Sequence, residues 1–182
     1  MGVVLKDMTY KGELTKAMEW LGCQSNTVFI GQGVCYPGHG MFATLEKVPM
    51  ERRIEVPVFE NTQLGMSVGL ALAGKVVISI FPRFDFLLSA TDALVNTLDK
   101  LEEVTHGQYH AKVIIRVGIG STSPMYPGVQ HCGDYSEGLL RMLNHVRLHR
   151  LYRESQILLA YQKAYTAEES SIIVEYMDLY KE

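Results

Sequence analysis

Apolar positions along the chain recur with two alternating periods. Over residues 10–21, Leu14, Ala17, Met18 and Leu21 fall on one face of a helix. Thr27-Val-Phe-Ile30 is an unbroken apolar run that stops at Gly31, which predicts a buried strand. Residues 31–40 hold Gly31, Gly33, Pro37, Gly38 and Gly40 and read as a loop. The pattern then predicts a strand over 54–59, a helix from about 62 to 73 and a strand over 75–81. A long amphipathic helix over 87–104 follows, through Leu87, Leu94, Leu98 and Leu101. After it come a strand over 112–117, a loop over 118–133 with Pro124 and Pro127, and a helix over 136–143. A strand over 147–152, a helix over 154–167 and a β-branched strand over 171–176 complete the series. Strands alternating with helices predict an α/β fold in three layers, a mostly parallel sheet with helices on both faces. No repeat, low-complexity tract or linker divides residues 1–182, so a single domain is expected.

Composition narrows the function classes. Hydrophobic residues make up 47% of the chain, enough for a substantial core. A net charge of −3 gives no basic footprint for nucleic acid. No apolar run approaches the roughly 20 residues that span a bilayer. Met1-Gly-Val-Val-Leu-Lys6 has no signal-peptide core, and Lys6 stands where a myristoylation signal has Ser or Thr. Cys23, Cys35 and Cys132 are odd in number with no C-x-x-C, which points to a reducing cytoplasm and to neither a disulfide framework nor a zinc site.

The candidate chemistry centres on Glu60. It is expected at the carboxyl end of a strand, where ligands sit in open α/β sheets, with a helix starting at once. Val56, Val58, Phe59 and Leu64 are its expected apolar surroundings, and burial of that kind disfavours a carboxylate. The simpler role for Glu60 is to cap that helix. Gly65, Gly69 and Ala73 lie four apart and form a flat small-residue face that admits a close partner. His131 lies in a Gly/Pro loop, and an imidazole is a side chain suited to proton transfer. His39, in Pro37-Gly-His-Gly40, is a further candidate for contact with a ligand or partner. His145 and His149 are four apart, but their segment runs from helix end into strand without an acidic third ligand, so no metal site is expected. Gly31-Gln-Gly33 stops short of the dinucleotide fingerprint, which excludes NAD there.

Four segments together resemble the pyrimidine-binding domain of transketolase-like, thiamin-diphosphate-dependent enzymes, in particular the β subunits of 2-oxoacid dehydrogenase E1 components. The resemblance covers nearly all of the chain. Glu60-x4-Gly65-x3-Gly69 is similar to the family's catalytic Glu and interface helix. Phe81-Pro-Arg-Phe84-Asp-Phe86 resembles the segment that closes over the aminopyrimidine ring, with Phe86 the better match for the stacking residue and Phe84 its rival. Gly128-Val-Gln-His131-Cys resembles a G-x-Q-H-S segment whose His faces substrate, and Phe29-Ile-Gly-Gln32-Gly resembles a strand and turn that often reads Gly-Glu. The resemblance implies that Glu60 and His131 are catalytic, that Glu60 shares a proton with the pyrimidine ring, and that Phe86, Phe84 and Gln32 contact thiamin diphosphate.

The chain departs from the family at Gln32, where an acid is common, at Cys132, which replaces Ser, and at Pro82 and Arg83. It has no Gly-Asp-Gly with a downstream Asn, the family's magnesium and diphosphate signature, and no second transketolase domain follows within it. The resemblance therefore implies a separate diphosphate-binding chain that carries the Mg2+, in an α2β2 assembly. The implied reaction is decarboxylation of a 2-oxo acid with non-oxidative transfer of the two-carbon or acyl unit. Transketolase-type ketol transfer and a non-catalytic subunit that keeps only the fold stay open as alternatives.

Overall fold

The computed structural model describes residues 8–123 and 125–180. The expectations that fall on residues 1–6 and on Pro124 lie outside the described residues. Six parallel strands form one sheet in the order β2-β1-β3-β4-β6-β5. They are β1 (Thr27–Gly31), β2 (Arg53–Glu55), β3 (Val76–Phe81), β4 (Val113–Ile119), β5 (Arg147–Leu151) and β6 (Ser171–Tyr176). The central strands are apolar on both faces because helices cover both, which is why they read as continuous runs and not alternating ones.

Helices α1 (Tyr10–Gly22) and α7 (Glu154–Thr166) pack on one face, against Phe29, Ile78, Ile80, Ile114 and Ile173. Thr9 caps α1 by accepting from the Gly12 N–H at 3.0 Å, and Leu14, Ala17, Met18 and Leu21 form its buried stripe. A short helix α2 (Gly40–Ala43) lies on this same side. The other face carries α3 (Glu60–Leu72), the helical segment that begins with α4 (Phe84–Leu87) and ends with α5 (Leu101–Val104), and α6 (Ser136–Met142), over Val77, Ile115, Val117 and Val174.

The chain therefore leaves β1 towards one face and β3 towards the other. Adjacent strands whose connections part in this way open a crevice at their carboxyl ends, and that is where α/β folds place ligands.

Two expected elements differ from those observed. The strand expected over 54–59 is only the three residues of β2. Pro57 has no N–H for a strand ladder, and the Phe59 N–H turns back to the Pro57 carbonyl at 2.8 Å. Glu60 thus follows a loop and opens α3, instead of standing at a strand end.

The helix expected over 87–104 is segmented, with a 3-10 turn at Leu88–Ala90 and a π turn at Ala93–Leu98. Two side-chain contacts explain the break. Asn61 Oδ1 accepts from the Ala93 N–H at 3.2 Å, which takes that donor out of the helical ladder. Buried Asp99 accepts the backbone N–H groups of Asn144, His145 and Val146 at 2.8–3.1 Å, tying the segment to the start of β5. Among the described residues no helix is long and apolar enough to cross a membrane.

Candidate active site

Gly31 ends β1 so tightly that a Cβ there would lie 2.5 Å from the Ile80 carbonyl oxygen. The next loop is pinned by Glu55, the last residue of β2, whose carboxylate accepts from the N–H groups of Gly33 at 2.6 Å and Cys35 at 2.8 Å. Gly33 has φ +64°, and a Cβ there would meet the His39 ring at 2.8 Å, so both shape and space call for glycine. The His39 ring packs into this turn, with Nε2 bonded to the Gln32 carbonyl at 2.9 Å. Burial lowers the His39 pKa, and nearby Arg116 adds to the effect. The ring is therefore held neutral, with Nε2 donating and Nδ1 left buried without a partner.

Three loops converge over the crevice. Gln32, Gly33, Gly38 and His39 come from the end of β1, Pro82, Arg83 and Phe86 from the end of β3, and Pro127 and His131 from the loop after β4. They line an open cleft of about 420 Å³. Phe86 and His131 meet edge-to-face, with centroids 5.6 Å apart at 83°. Asp85 fixes the approach of the His131 loop by accepting from the Tyr135 hydroxyl at 2.9 Å and the Gly133 N–H at 3.3 Å. The Asp85 hydrogen bond raises the Tyr135 pKa.

Glu60 lies just outside this cleft, in an adjoining hollow with Phe59, Asn61 and Ser89. One hydrogen bond bridges the two spaces, from Gln32 Nε2 to Glu60 Oε1 at 3.2 Å. Gln32 is a neutral amide, so it supplies a hydrogen bond here but no proton. Glu60 is the first residue of α3, and its side-chain contact is the hydrogen bond from Gln32. A buried polar layer below it holds α3 on β3: Gln63 Nε2 donates to the Ile80 carbonyl at 3.0 Å, and the Ser67 and Ser79 hydroxyls lie 3.0 Å apart.

Gln32, Phe86 and His131 are thus brought together, with Glu60 bonded to the edge of the group. Phe84 is placed differently from its expected role. It is fully buried and packs edge-to-face on Tyr135 at 5.7 Å, so it belongs to the core and lines no part of the cleft. The apolar setting expected for Glu60 is only half present. Val56 and Leu64 are buried, but Val58 and Phe59 are 70% and 65% exposed. His145 and His149 do not form a helical pair, since His149 lies on β5, where burial and the Lys163 and Arg147 charges lower its pKa. Glu55 and Asp85 carry no signal in the sequence, because their partners are backbone groups and a hydroxyl distant along the chain.

The cleft suits a flat heterocycle. The Phe86 ring and two prolines supply apolar surface, while Gln32 and two histidines supply polar groups, of which His131 Nδ1 and His39 Nδ1 are buried without partners. A larger hollow of about 530 Å³ lies at the far edge of the sheet between β5 and α7 and contains none of Gln32, Glu60, Phe86 or His131.

No family model matches the chain. Among curated proteins, the pyruvate dehydrogenase E1 component subunit β of Saccharomyces cerevisiae is 30% identical over 135 residues, covering 72% of this chain and 36% of that protein. The corresponding β-1 subunit of Arabidopsis thaliana is 28% identical over 135 residues, covering 72% of this chain and 37% of its own length. The β subunit of Rickettsia bellii is 32% identical over 92 residues, covering 50% and 28%. The chain is similar to pyruvate dehydrogenase E1 β subunits.

This E1 β-like chain spans about a third of the length of those relatives. A solved structure of a "Split gene transketolase, inactive beta4 tetramer" superposes with a TM-score of 0.70 at 17% identity, over 92% of this chain and 51% of that one. The fold of the E1 β-like chain is accordingly the transketolase-like α/β fold. The resemblance read from the sequence is the one that these comparisons return.

Proposed function

We propose that this chain is the pyrimidine-domain, β-like subunit of a two-chain thiamin-diphosphate-dependent enzyme. In this reading the enzyme decarboxylates a 2-oxo acid and transfers the resulting two-carbon or acyl unit. The observation that carries the reading is the meeting of Phe86, His131 and the Gln32–Glu60 hydrogen bond at the parting of β1 and β3. Phe86 would hold the pyrimidine ring of thiamin diphosphate, and Glu60 would hydrogen-bond to it. Gln32 keeps the Glu60 carboxyl oriented, and His131 holds or moves a proton at a substrate oxygen. Bound thiamin diphosphate supplies stabilisation of negative charge at the donor's carbonyl carbon, with Mg2+ held by the partner chain.

The exposure of Val58 and Phe59 beside Glu60 supports completion of the site by a partner surface. The α3 face supports the same reading, because nothing lies within 4 Å of a Cβ built on Gly65 or Gly69. By analogy with the inactive β4 tetramer of the split transketolase, the chain without its partner is expected to self-associate and to be inactive.

Reconstitution with the diphosphate-binding chain tests the function. Carbon dioxide release from pyruvate identifies the decarboxylase, whereas turnover of a ketose phosphate alone identifies the ketolase alternative. Unchanged turnover in Glu60→Ala would sink the catalytic reading and leave a non-catalytic subunit. Calorimetry on the chain alone is expected to show no measurable thiamin diphosphate binding.

A further inference from the structure

The cleft has one feature that the ring-binding role leaves unused. Arg83 sits at its wall, between Pro82 and the short helix that presents Phe86. Its side chain makes no hydrogen bond or ion pair among the described residues, and its Nη1 is buried without a partner. A guanidinium is permanently charged, and a buried donor nitrogen left without an acceptor is a costly arrangement in a native fold.

Among the described residues no acidic side chain lines the cleft. The carboxylates closest in the chain or the site are engaged elsewhere: Asp85 with Tyr135 and Gly133, Glu55 with Gly33 and Cys35, and Glu60 with Gln32. The cleft is also lined by His131, whose Nδ1 is likewise buried and unpartnered. A planar fork of donors with no internal acceptor, in an open cleft that lacks negative charge, is matched to a carboxylate or a phosphate, which it can bind through two parallel hydrogen bonds.

We infer that Arg83 is the residue that recognises the oxyanion group of the substrate in this cleft, a carboxylate or a phosphate. The inference rests on the proposed function only in assigning that anion to the substrate. It makes Arg83 a specificity-determining residue, with Phe86 and His131 beside it.

The test uses the full chain alone, without cofactor. Ring resonances of His39 and His131 are followed by NMR while sodium pyruvate, fructose 6-phosphate or inorganic phosphate is added, with calorimetry in parallel. Saturable binding is expected. Arg83→Gln should weaken it at least about tenfold, the loss expected from one charge-assisted hydrogen bond. Arg83→Lys should fall between, since it keeps the charge and loses the fork. Tighter binding of pyruvate supports the inference with a 2-oxo acid as the anion's source. Tighter binding of the phosphate compounds supports it with a phosphorylated ketose.

The inference is overturned if no anion moves the His131 signals, or if Arg83→Gln binds as tightly as the unaltered chain. Thermal unfolding of Arg83→Gln should show no loss of stability relative to the parent, because the side chain holds nothing in place. The proposed function fails separately, through thiamin diphosphate binding to the reconstituted pair: anion binding that persists when the pair takes up no cofactor would remove that function and leave the Arg83 site standing.

Discussion

Replacing Glu175 with alanine should cost the fold about 4 kcal/mol, within the roughly 3–5 kcal/mol seen when one partner of a buried ion pair is removed. Glu175 on β6 and Arg116 on β4 are both fully buried on the face covered by α1 and α7. The carboxylate accepts from Arg116 Nε at 2.6 Å and Nη2 at 2.9 Å, and from the hydroxyls of Tyr161 and Tyr180. Burial by itself would lower the Arg116 pKa, but Glu175 outweighs it and the net shift is upward. Without Glu175 the guanidinium stays charged in the core, keeping only the Tyr180 oxygen 3.1 Å from Nη2, and Nη1 has no partner even in the parent.

Against a total of about 5–15 kcal/mol for a typical domain, such a loss is large. With a urea slope of about 2 kcal/mol per molar, the unfolding midpoint should fall by about 2 M. The matched variant Arg116→Met/Glu175→Leu replaces the whole pair with apolar groups and should recover most of this loss. Denaturation followed by circular dichroism reads both. A single variant that loses less than about 1 kcal/mol, or a double variant no better than the single, would refute the reasoning that an unpaired buried charge sets the cost.

Three further outcomes are expected. Gly65→Leu should leave the isolated chain as stable or stabilise it by up to about 1 kcal/mol, because the position is helical and open, yet it should abolish assembly with the proposed diphosphate-binding chain in sedimentation experiments. Since the folded pKa of His39 lies below its ordinary 6.5, its neutral form contributes stability that is present above about pH 6.5 and is lost as pH falls through the lowered value. A urea midpoint that drops between about pH 7 and 5, with a smaller drop in His39→Gln, is the check. Asp85→Ala should free the His131 loop, seen as faster amide exchange over 129–133 with little change at α3.

The central strands were legible because Val, Ile and Phe fill both faces of each, and helices α1 and α7 because their buried stripes repeat at helical spacing. Pro57 carried enough information to end β2 early, yet the apolar residues around it suggested a longer strand. The broken segment after β3 was not legible, since it depends on Asn61 and Asp99 meeting backbone groups 32 and 45–47 residues away. Spacing alone treats Phe84 and Phe86 as alternate residues of an extended chain, which share a side. They are helical, so their rings diverge, one into the core beside Tyr135 and the other into the cleft beside His131. Gln32, His131 and Glu60 were readable as residues, but the Gln32–Glu60 bond was not, because it joins a loop to a helix start that only the sheet order brings side by side.

The sheet order also dictates when the domain can close during synthesis. The last strand, β6, slots between β4 and β5 instead of adding to an outer edge. Until residues 171–176 leave the ribosome, β4 ends in an unpaired row of backbone groups and β5 has no neighbour to hold it. A nascent chain halted ahead of that point should therefore be protease-sensitive throughout β4 and β5 while β1 and β3 already resist, and uniform resistance in such a stalled chain would show that closure does not wait for the final strand.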